Sequence, residues 1–257
     1  MIQSVDRAVR ILLELQGARR LGLTEMASRL GLANSTVHGI LQTLVARGMV
    51  EQDSAGRYVL GAGVLRLGNV YLDSNELRLR SLSWAEALAN RSGCAVRVGV
   101  PLAQDVVVIH HVLRPDGTPQ MRETGIAIPG HAGAMGKTLL AFRPDLRSLL
   151  EGDSPLPRLT GQTIASLEEL DESLKAVRLA GFSTGQDEVV IGESEIAAPI
   201  FDAEGTAVGA VAVVVPSLDW PLPESGAHAV REAAVGISRS MGAPTWPVLA
   251  VPDERAG

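Results

Sequence analysis

Six small or polar residues lie close together near the start of the chain and could contact DNA. They are Asn34, Ser35, Thr36, His38, Gly39 and Gln42. The apolar residues Val37, Ile40, Leu41 and Leu44 recur among them at helical spacing, which predicts an amphipathic helix with the polar set outward. Such a helix fits the major groove of DNA, where Gln42 could bond an adenine twice. Ser35 and Thr36, at the start of the helix, suit a phosphate group.

A second helix and a short turn must hold this polar helix in place. Apolar residues at helical spacing predict the second helix at 24–30. Thr24 is its expected cap and belongs to the expected DNA-contacting set. Gly31 is expected to end the helix in a left-handed conformation. The turn at 31–33 then joins the two helices as in a helix-turn-helix.

A further helix and a hairpin complete the motif. Helical spacing predicts a first helix at 5–15, with Ser4 as its cap. Apolar and polar residues alternate on both sides of a turn at 53–56, which predicts a two-stranded wing. Arg57 on the wing suits the DNA backbone or the minor groove. These elements predict a winged helix-turn-helix over residues 1–62.

The charge distribution is compatible with DNA binding. The net charge of the whole chain is −6. Residues 1–60 hold seven Arg and five Asp or Glu, a balance of +2, so the remainder carries −8. A mildly basic domain on an acidic body is sufficient, because only the docking face has to meet phosphates.

The rest of the chain predicts a second domain. Residues 63–80 have a helical pattern and are interpreted as a linker helix, with a break and a new cap at Asp73-Ser74. Residues 81–243 contain strands, helices, further strands and a closing helix at 223–242. That order favours an α+β domain with a largely antiparallel sheet. Residues 244–257 contain three prolines and are expected to be disordered.

Several segments with the look of catalytic or metal sites are weak candidates. GHAGAMGKT is similar to a phosphate-binding loop, but five residues rather than four separate Gly130 from Gly136. Cys94 lacks the flanking signature of a nucleophile. His110 and His111 are adjacent on a predicted strand and point to opposite faces, so the pair cannot chelate one metal ion. No catalytic residue, metal or cofactor is therefore expected.

Nothing in the sequence predicts a membrane segment or a signal peptide, and a single cysteine suits a reducing compartment. A cytoplasmic protein is expected. The main alternative to a DNA-binding regulator is a metabolite-binding or catalytic α+β protein with an incidental helical head. Loss of DNA binding on deletion of residues 1–60, without turnover by the remainder, would separate the two.

The segments SVDRAVRILLEL, LTEMASRLGLANSTVHGILQTLVARGMVEQDSAGRYVLG and LAGFSTGQDEVVIGESEIAAPIFD resemble the IclR family of bacterial transcription regulators. Within the family, GNVYLDSNELRLRSL and VVIHHVLRPD are most similar to regulators of glycerol operons. The resemblance implies a winged helix-turn-helix, a GAF-like effector domain, dimers or dimers of dimers, and no cofactor. Whether the chain represses or activates stays open.

The resemblance also implies where a small-molecule effector binds. The pocket is expected among Ala134, Met135, Gly136, Asp187, Glu195, Ala212 and Val214. The strand at 208–215 carries no hydroxyl, and an inward Glu195 would add a carboxylate to the pocket. A carboxylate ligand would then meet like charge, whereas a polyol or an amine could donate hydrogen bonds. We therefore expect a neutral hydroxylated or amine-bearing effector, with glycerol favoured over glycerol phosphate.

Overall fold

The computed structural model describes residues 2–152 and 155–246. The chain divides into two compact units that meet between Ser74 and Asn75, within the segment interpreted as a linker. Among the described residues, no helix combines the length and the apolar composition that crossing a membrane requires.

The first unit contains four helices and a hairpin. The elements are α1 (Gln3–Ala18), α2 (Leu23–Leu30), α3 (Asn34–Ala46), β1 (Val50–Gln52), β2 (Tyr58–Leu60) and α4 (Ala62–Ser74). The two strands pair antiparallel, with Val50 opposite Leu60. The core is built from apolar side chains of all three preceding helices and of the hairpin, including Ile11, Met26, Val37, Leu41 and Tyr58.

Two of the predicted helix caps are wrong. Ser4 and Thr24 lie inside α1 and α2, which begin after Ile2 and Gly22 without a side-chain cap among the described residues. The helices gain an extra turn because backbone carbonyls satisfy the early N–H groups: Met26 donates to the Gly22 carbonyl. Gly31 ends α2 in the left-handed region, at φ 65° and ψ 34°, as predicted.

The predicted linker is two helices rather than one. α4 ends at Ser74, and α5 (Glu76–Ser92) begins after Asn75. The cap is Asn75, whose side-chain oxygen accepts from the Arg78 N–H at 2.9 Å. Ser74 is not the cap, because its hydroxyl donates back to the Val70 carbonyl.

The second unit is built on a six-stranded sheet. Its strands are β3 (Ala95–Leu102), β4 (Asp105–Val112), β5 (Ala127–Pro129), β6 (Ser183–Gln186), β7 (Glu193–Phe201) and β8 (Ala207–Pro216). The order is β5-β4-β3-β8-β7-β6, and every pair that the structure describes is antiparallel. The predicted strand in MRETGIAI is reduced to β5.

Helices cover both faces of this sheet. Besides α5, they are α6 (Ala134–Phe142), α7 (Pro144–Ser148), α8 (Leu167–Ala180) and α9 (Glu224–Ser240). Ala210 and Ala212 pack with α6, whereas a Cβ at Gly209 would meet Leu77 of α5. Since side chains alternate along a strand, α5 and α6 lie on opposite faces. β7 therefore presents Glu193 and Glu195 to the α6 side, and Ser194 and Ile196 to the other.

The first residues of the predicted disordered tail are ordered. The Trp246 ring packs edge-on against Phe201, with 6.3 Å between ring centroids. Its indole N–H donates to the Pro199 carbonyl at 3.1 Å. A large apolar ring with a satisfied N–H stabilises this segment against the sheet, which proline content alone does not reveal. Residues 247–257 lie outside the described residues.

Candidate functional site

The polar residues of α3 form the outer face that its periodicity predicts. Asn34, Ser35, His38, Gly39 and Gln42 are exposed and Thr36 is half-buried. Val37 and Leu41 point inward and are fully buried. The helix therefore presents a continuous polar surface anchored by an apolar one.

The start of α3 is electrostatically suited to an anion. Its first turn contains no acidic residue, so the partial positive charge of the helix N-terminus is not offset there. Further along, Gln42 Nε2 lies 3.5 Å from His38 Nε2, so the two side chains meet one turn apart on the outer face.

The wing is a rigid turn that presents Arg57. The Asp53 carboxylate accepts from the backbone N–H groups of Ala55 and Arg57, both at 2.9 Å. These bonds, that of Arg57 foremost, hold the pKa of Asp53 below its usual value. The exposed Arg57 guanidinium lies 3.4 Å from the same carboxylate. Thr24, which does not cap α2, is exposed on its first turn.

In the second unit, the structure brings Glu195 to the start of α6. Glu195 faces Gly185 and Val214 across the neighbouring strands. Its side chain is buried, and the Ala134 N–H at the first position of α6 donates to its Oε1. Burial raises the pKa of Glu195 above its usual value, although Arg97 and this N–H act in the opposite direction. Its Oε2 has no hydrogen-bond partner among the described residues and lies 3.8 Å from Arg97 Nη1.

The other residues expected around the effector divide into two groups. Met135 and Ala212 are buried in the apolar core under α6, and Val214 lines a cavity beside Glu195. Gly136 serves packing, because a Cβ there would lie 2.1 Å from the Gly130 carbonyl oxygen. The space that touches Glu195 itself has a volume of 10 Å³, too small for a ligand.

Asp187 does not join this group. Its carboxylate accepts from the Ser217 hydroxyl at 2.7 Å and the Gly192 N–H at 2.6 Å. The Ser217 bond, followed by the Gly192 bond, lowers the pKa of Asp187. Asp187 lines a separate surface cavity with Trp220 and Thr184. The expected pairing of Asp187 with Glu195 around one ligand is wrong in this structure, because Asp187 is held by the loop that follows it.

The sequence analysis missed a buried arginine on the same sheet face. Arg97 of β3 is 5% exposed. Its guanidinium donates twice to Glu193, at 2.8 and 2.9 Å, and twice to Glu123. Burial by itself would lower the pKa of Arg97, but these carboxylates raise it above its ordinary value. A single charged residue in the apolar run CAVRVGV was the signal that could have identified it.

Arg97 forms the base of a cavity of 200 Å³, named here the Arg97 cavity. The polar side chains that line it are Arg97, His111, Arg114, Gln120, Glu123 and Glu193. Apart from Arg97 and Glu193, they come from β4 and the segment at 113–126. His111 Nδ1 accepts from the Glu123 N–H at 3.1 Å. Burial lowers the pKa of His111 below its ordinary value.

The groups that looked catalytic have structural partners. Buried Lys137 of GHAGAMGKT donates to both carboxylate oxygens of Glu188 at 2.7 Å. Buried Cys94 donates to the Ser92 carbonyl, and burial raises the pKa of its thiol, which disfavours the thiolate. Among the described residues, no group of three His, Cys, Asp or Glu side chains is arranged to hold a metal ion.

Comparison with known proteins identifies both units. The family model for the C-terminal domain of the bacterial transcriptional regulator IclR matches residues 69–239, and that for the IclR helix-turn-helix domain matches residues 4–54. The chain is 44% identical over 250 residues to the glycerol operon regulatory protein of Streptomyces griseus, which covers 94% of this chain and 97% of that protein.

Solved structures agree with the sequence comparison. An IclR transcriptional regulator from Alicyclobacillus acidocaldarius has a TM-score of 0.79 and 25% identity, and covers 94% of this chain and 100% of that one. An IclR homologue from Microbacterium hydrocarbonoxydans, complexed with 4-hydroxybenzoate, has a TM-score of 0.74 and 26% identity over 93% of this chain and 98% of that one.

These matches confirm the α+β fold, the winged helix-turn-helix and the resemblance seen in the sequence. The relatives are regulators rather than enzymes, so the alternative of a catalytic protein with an incidental helical head is wrong. The chain belongs to the IclR family of bacterial transcriptional regulators.

Proposed function

We propose that this regulator controls an operon for the catabolism of glycerol or a related polyol, acting on the chromosome in the cytoplasm. A small neutral hydroxylated or amine-bearing effector controls its binding to the operator. The observation that carries the effector class is the buried, inward-facing Glu195. The 44% identity to the Streptomyces griseus glycerol operon regulatory protein supports the pathway.

We assign base reading to the outer face of α3. Gln42 is exposed and can present its amide to an adenine. The Ser35 and Thr36 hydroxyls, at the positive end of the helix, suit a phosphate. Arg57 adds a contact from the wing, and Thr24, Asn34, His38 and Gly39 complete the proposed surface. Phosphate contacts fix the register of the protein on DNA, whereas base contacts select the sequence.

Gln42→Ala and Arg57→Ala should weaken DNA binding in different ways. Loss of Gln42 should cost about 1–3 kcal/mol on the operator and relax preference at one base pair. Loss of Arg57 should weaken binding to all sequences and reduce the salt dependence. The operator would first be located by chromatin immunoprecipitation with sequencing, and fluorescence anisotropy on matched and altered sites would then measure affinity. Gln104→Ala, an exposed change of the same type in the second unit, is the control. Unchanged specificity in Gln42→Ala would show that this face of α3 does not read bases.

We propose that the chain binds its operator as a dimer or a dimer of dimers. α4, which the structure describes in full, buries none of its residues, and its Leu65, Val70 and Tyr71 are at least half exposed. Val5, Val9 and Leu13 form an exposed apolar stripe on α1. A second copy would cover such surfaces, and a symmetric pair would read two half-sites.

Leu65→Glu should shift the chain toward a monomer and weaken operator binding, because a carboxylate would have to be buried in the proposed contact. Leu179→Glu is a matched control, since Leu179 on α8 is 66% exposed and Leu65 is 65% exposed. Light scattering with an operator-binding assay measures both effects. A wild-type monomer at micromolar concentration that still binds the operator tightly would contradict this assembly.

The effector class follows from the position of the Glu195 carboxylate. Helix N-termini attract anions, but here the first N–H of α6 already bonds Glu195. A carboxylate or phosphate ligand would find that position taken and would approach a buried carboxyl group. A polyol or an amine brings donors that carboxylates accept.

Calorimetry with glycerol, glycerol 3-phosphate, a polyamine and pyruvate tests this assignment. Glycerol or the polyamine should bind, and the two anions should not. Glu195→Ser should gain affinity for pyruvate, because it frees the first N–H of α6 and removes a carboxylate. Glu172→Gln, an exposed change on α8, controls for loss of a carboxylate elsewhere. Tight binding of pyruvate or the phosphate that Glu195→Ser leaves unchanged would contradict the proposed class.

A further inference from the structure

We propose that the polyol effector binds in the Arg97 cavity, where the carboxylates of Glu123 and Glu193 accept its hydroxyl hydrogens. This inference rests on the proposed function, which it deepens by giving the effector a site. None of the residues expected from the family resemblance supplies the polar groups of this cavity. Of the expected set, Val214 alone lines it.

Arg97 acts as a positioning residue in this site. Four of its N–H groups donate to Glu123 and Glu193, and Nη1 also lies 3.8 Å from the Glu195 carboxylate. A guanidinium offers five donors in a fixed plane, so little of Arg97 is left to bond a ligand. Instead it fixes two carboxylates side by side at the base of the cavity.

The two carboxylates retain acceptor capacity for a ligand. Each oxygen of Glu123 and Glu193 accepts from Arg97, and a carboxylate has about four lone-pair positions in all. Both side chains line the cavity and are 23% and 27% exposed, unlike the enclosed Glu195. Hydroxyl groups of a ligand can therefore reach the remaining lone pairs.

Donors on the other side of the cavity complement these acceptors. His111 Nδ1 accepts the Glu123 N–H, so neutral His111 carries its proton on Nε2. The Gln120 side-chain oxygen accepts from the Arg114 N–H at 3.0 Å, which turns the amide of Gln120 into a donor toward its surroundings. Arg114 itself adds a guanidinium. A wall of donors opposite a base of acceptors matches hydroxyl groups, because each hydroxyl donates and accepts at once.

The charge and the size of the cavity select among ligands. Glu123, Glu193 and Glu195 converge on one guanidinium, so an anion would enter a site already rich in carboxylates. Pockets for drug-sized molecules measure about 300–1,000 Å³. The 200 Å³ of the Arg97 cavity suits a ligand of a few heavy atoms. A small neutral polyol satisfies both conditions.

Glycerol titration of full-length variants by calorimetry tests the site. Glu123→Gln keeps the shape of the side chain but replaces one acceptor oxygen by a donor amide, and it should weaken glycerol binding by about tenfold or more. Arg97→Lys keeps the charge but loses the planar fork, so it should also weaken binding. Glu172→Gln is the matched control and should bind glycerol as the wild type does. Thermal unfolding by circular dichroism confirms that each variant is folded.

Three outcomes separate this inference from the proposed function. Weakened glycerol binding in a folded Glu123→Gln protein, with the control unchanged, supports the Arg97 cavity. Wild-type glycerol affinity in that folded variant overturns the cavity as the site and leaves the polyol effector standing. Failure of the wild type to bind glycerol, with binding of pyruvate or glycerol 3-phosphate, overturns the proposed effector and the cavity assignment together. Should Arg97→Lys fail to fold, Glu123→Gln alone decides.

Discussion

The burial of the Arg97 guanidinium determines much of what surrounds it in the second unit. A charge that is almost wholly removed from water is tolerated only when it is paired and hydrogen-bonded. Arg97 therefore requires Glu123 and Glu193 beside it, one from the segment at 113–126 and the other from β7. The same arrangement brings Glu195 within 3.8 Å, so one sheet face carries three carboxyl groups around one cation.

This charge pattern has a consequence for regulation. An effector controls DNA binding only if it binds two states of the protein with unequal affinity. A ligand that competes for or reinforces the Arg97 network changes how firmly the segment at 113–126 is held, since Glu123 is its link to Arg97. A hydroxylated ligand can reinforce the network without adding charge. The network thus offers a physical basis for sensing a neutral molecule.

Sequence periodicity was sufficient for the DNA-binding unit but not for the effector region. The face of α3 followed from the spacing of Val37 and Leu41, because one helix packs on a local core. Helix starts were less predictable: backbone carbonyls replaced Ser4 and Thr24 as caps. The pairing of Glu195 with Ala134 joins residues 61 positions apart, and only the resemblance to relatives pointed to it.

Arg97 and Trp246 show why the remainder was out of reach. An arginine in an apolar strand can face solvent or be buried, and its burial depends on carboxylates 26 and 96 positions away. Trp246 lies in a proline-rich tail whose composition indicates disorder, yet it packs on Phe201. Asp187 was expected in the pocket, but a local loop with Gly192 and Ser217 holds it elsewhere. Each outcome depends on long-range or loop geometry that residue spacing does not encode.

The central claim is that a neutral polyol, rather than an anion, changes the affinity of this regulator for its operator. The most direct measurement is operator affinity by fluorescence anisotropy at fixed ionic strength, without ligand and with saturating glycerol or pyruvate. Allosteric coupling of ordinary strength changes affinity by about 5–150-fold. The account predicts a shift of that order with glycerol and none with pyruvate. An affinity that glycerol leaves unchanged and pyruvate shifts would contradict it.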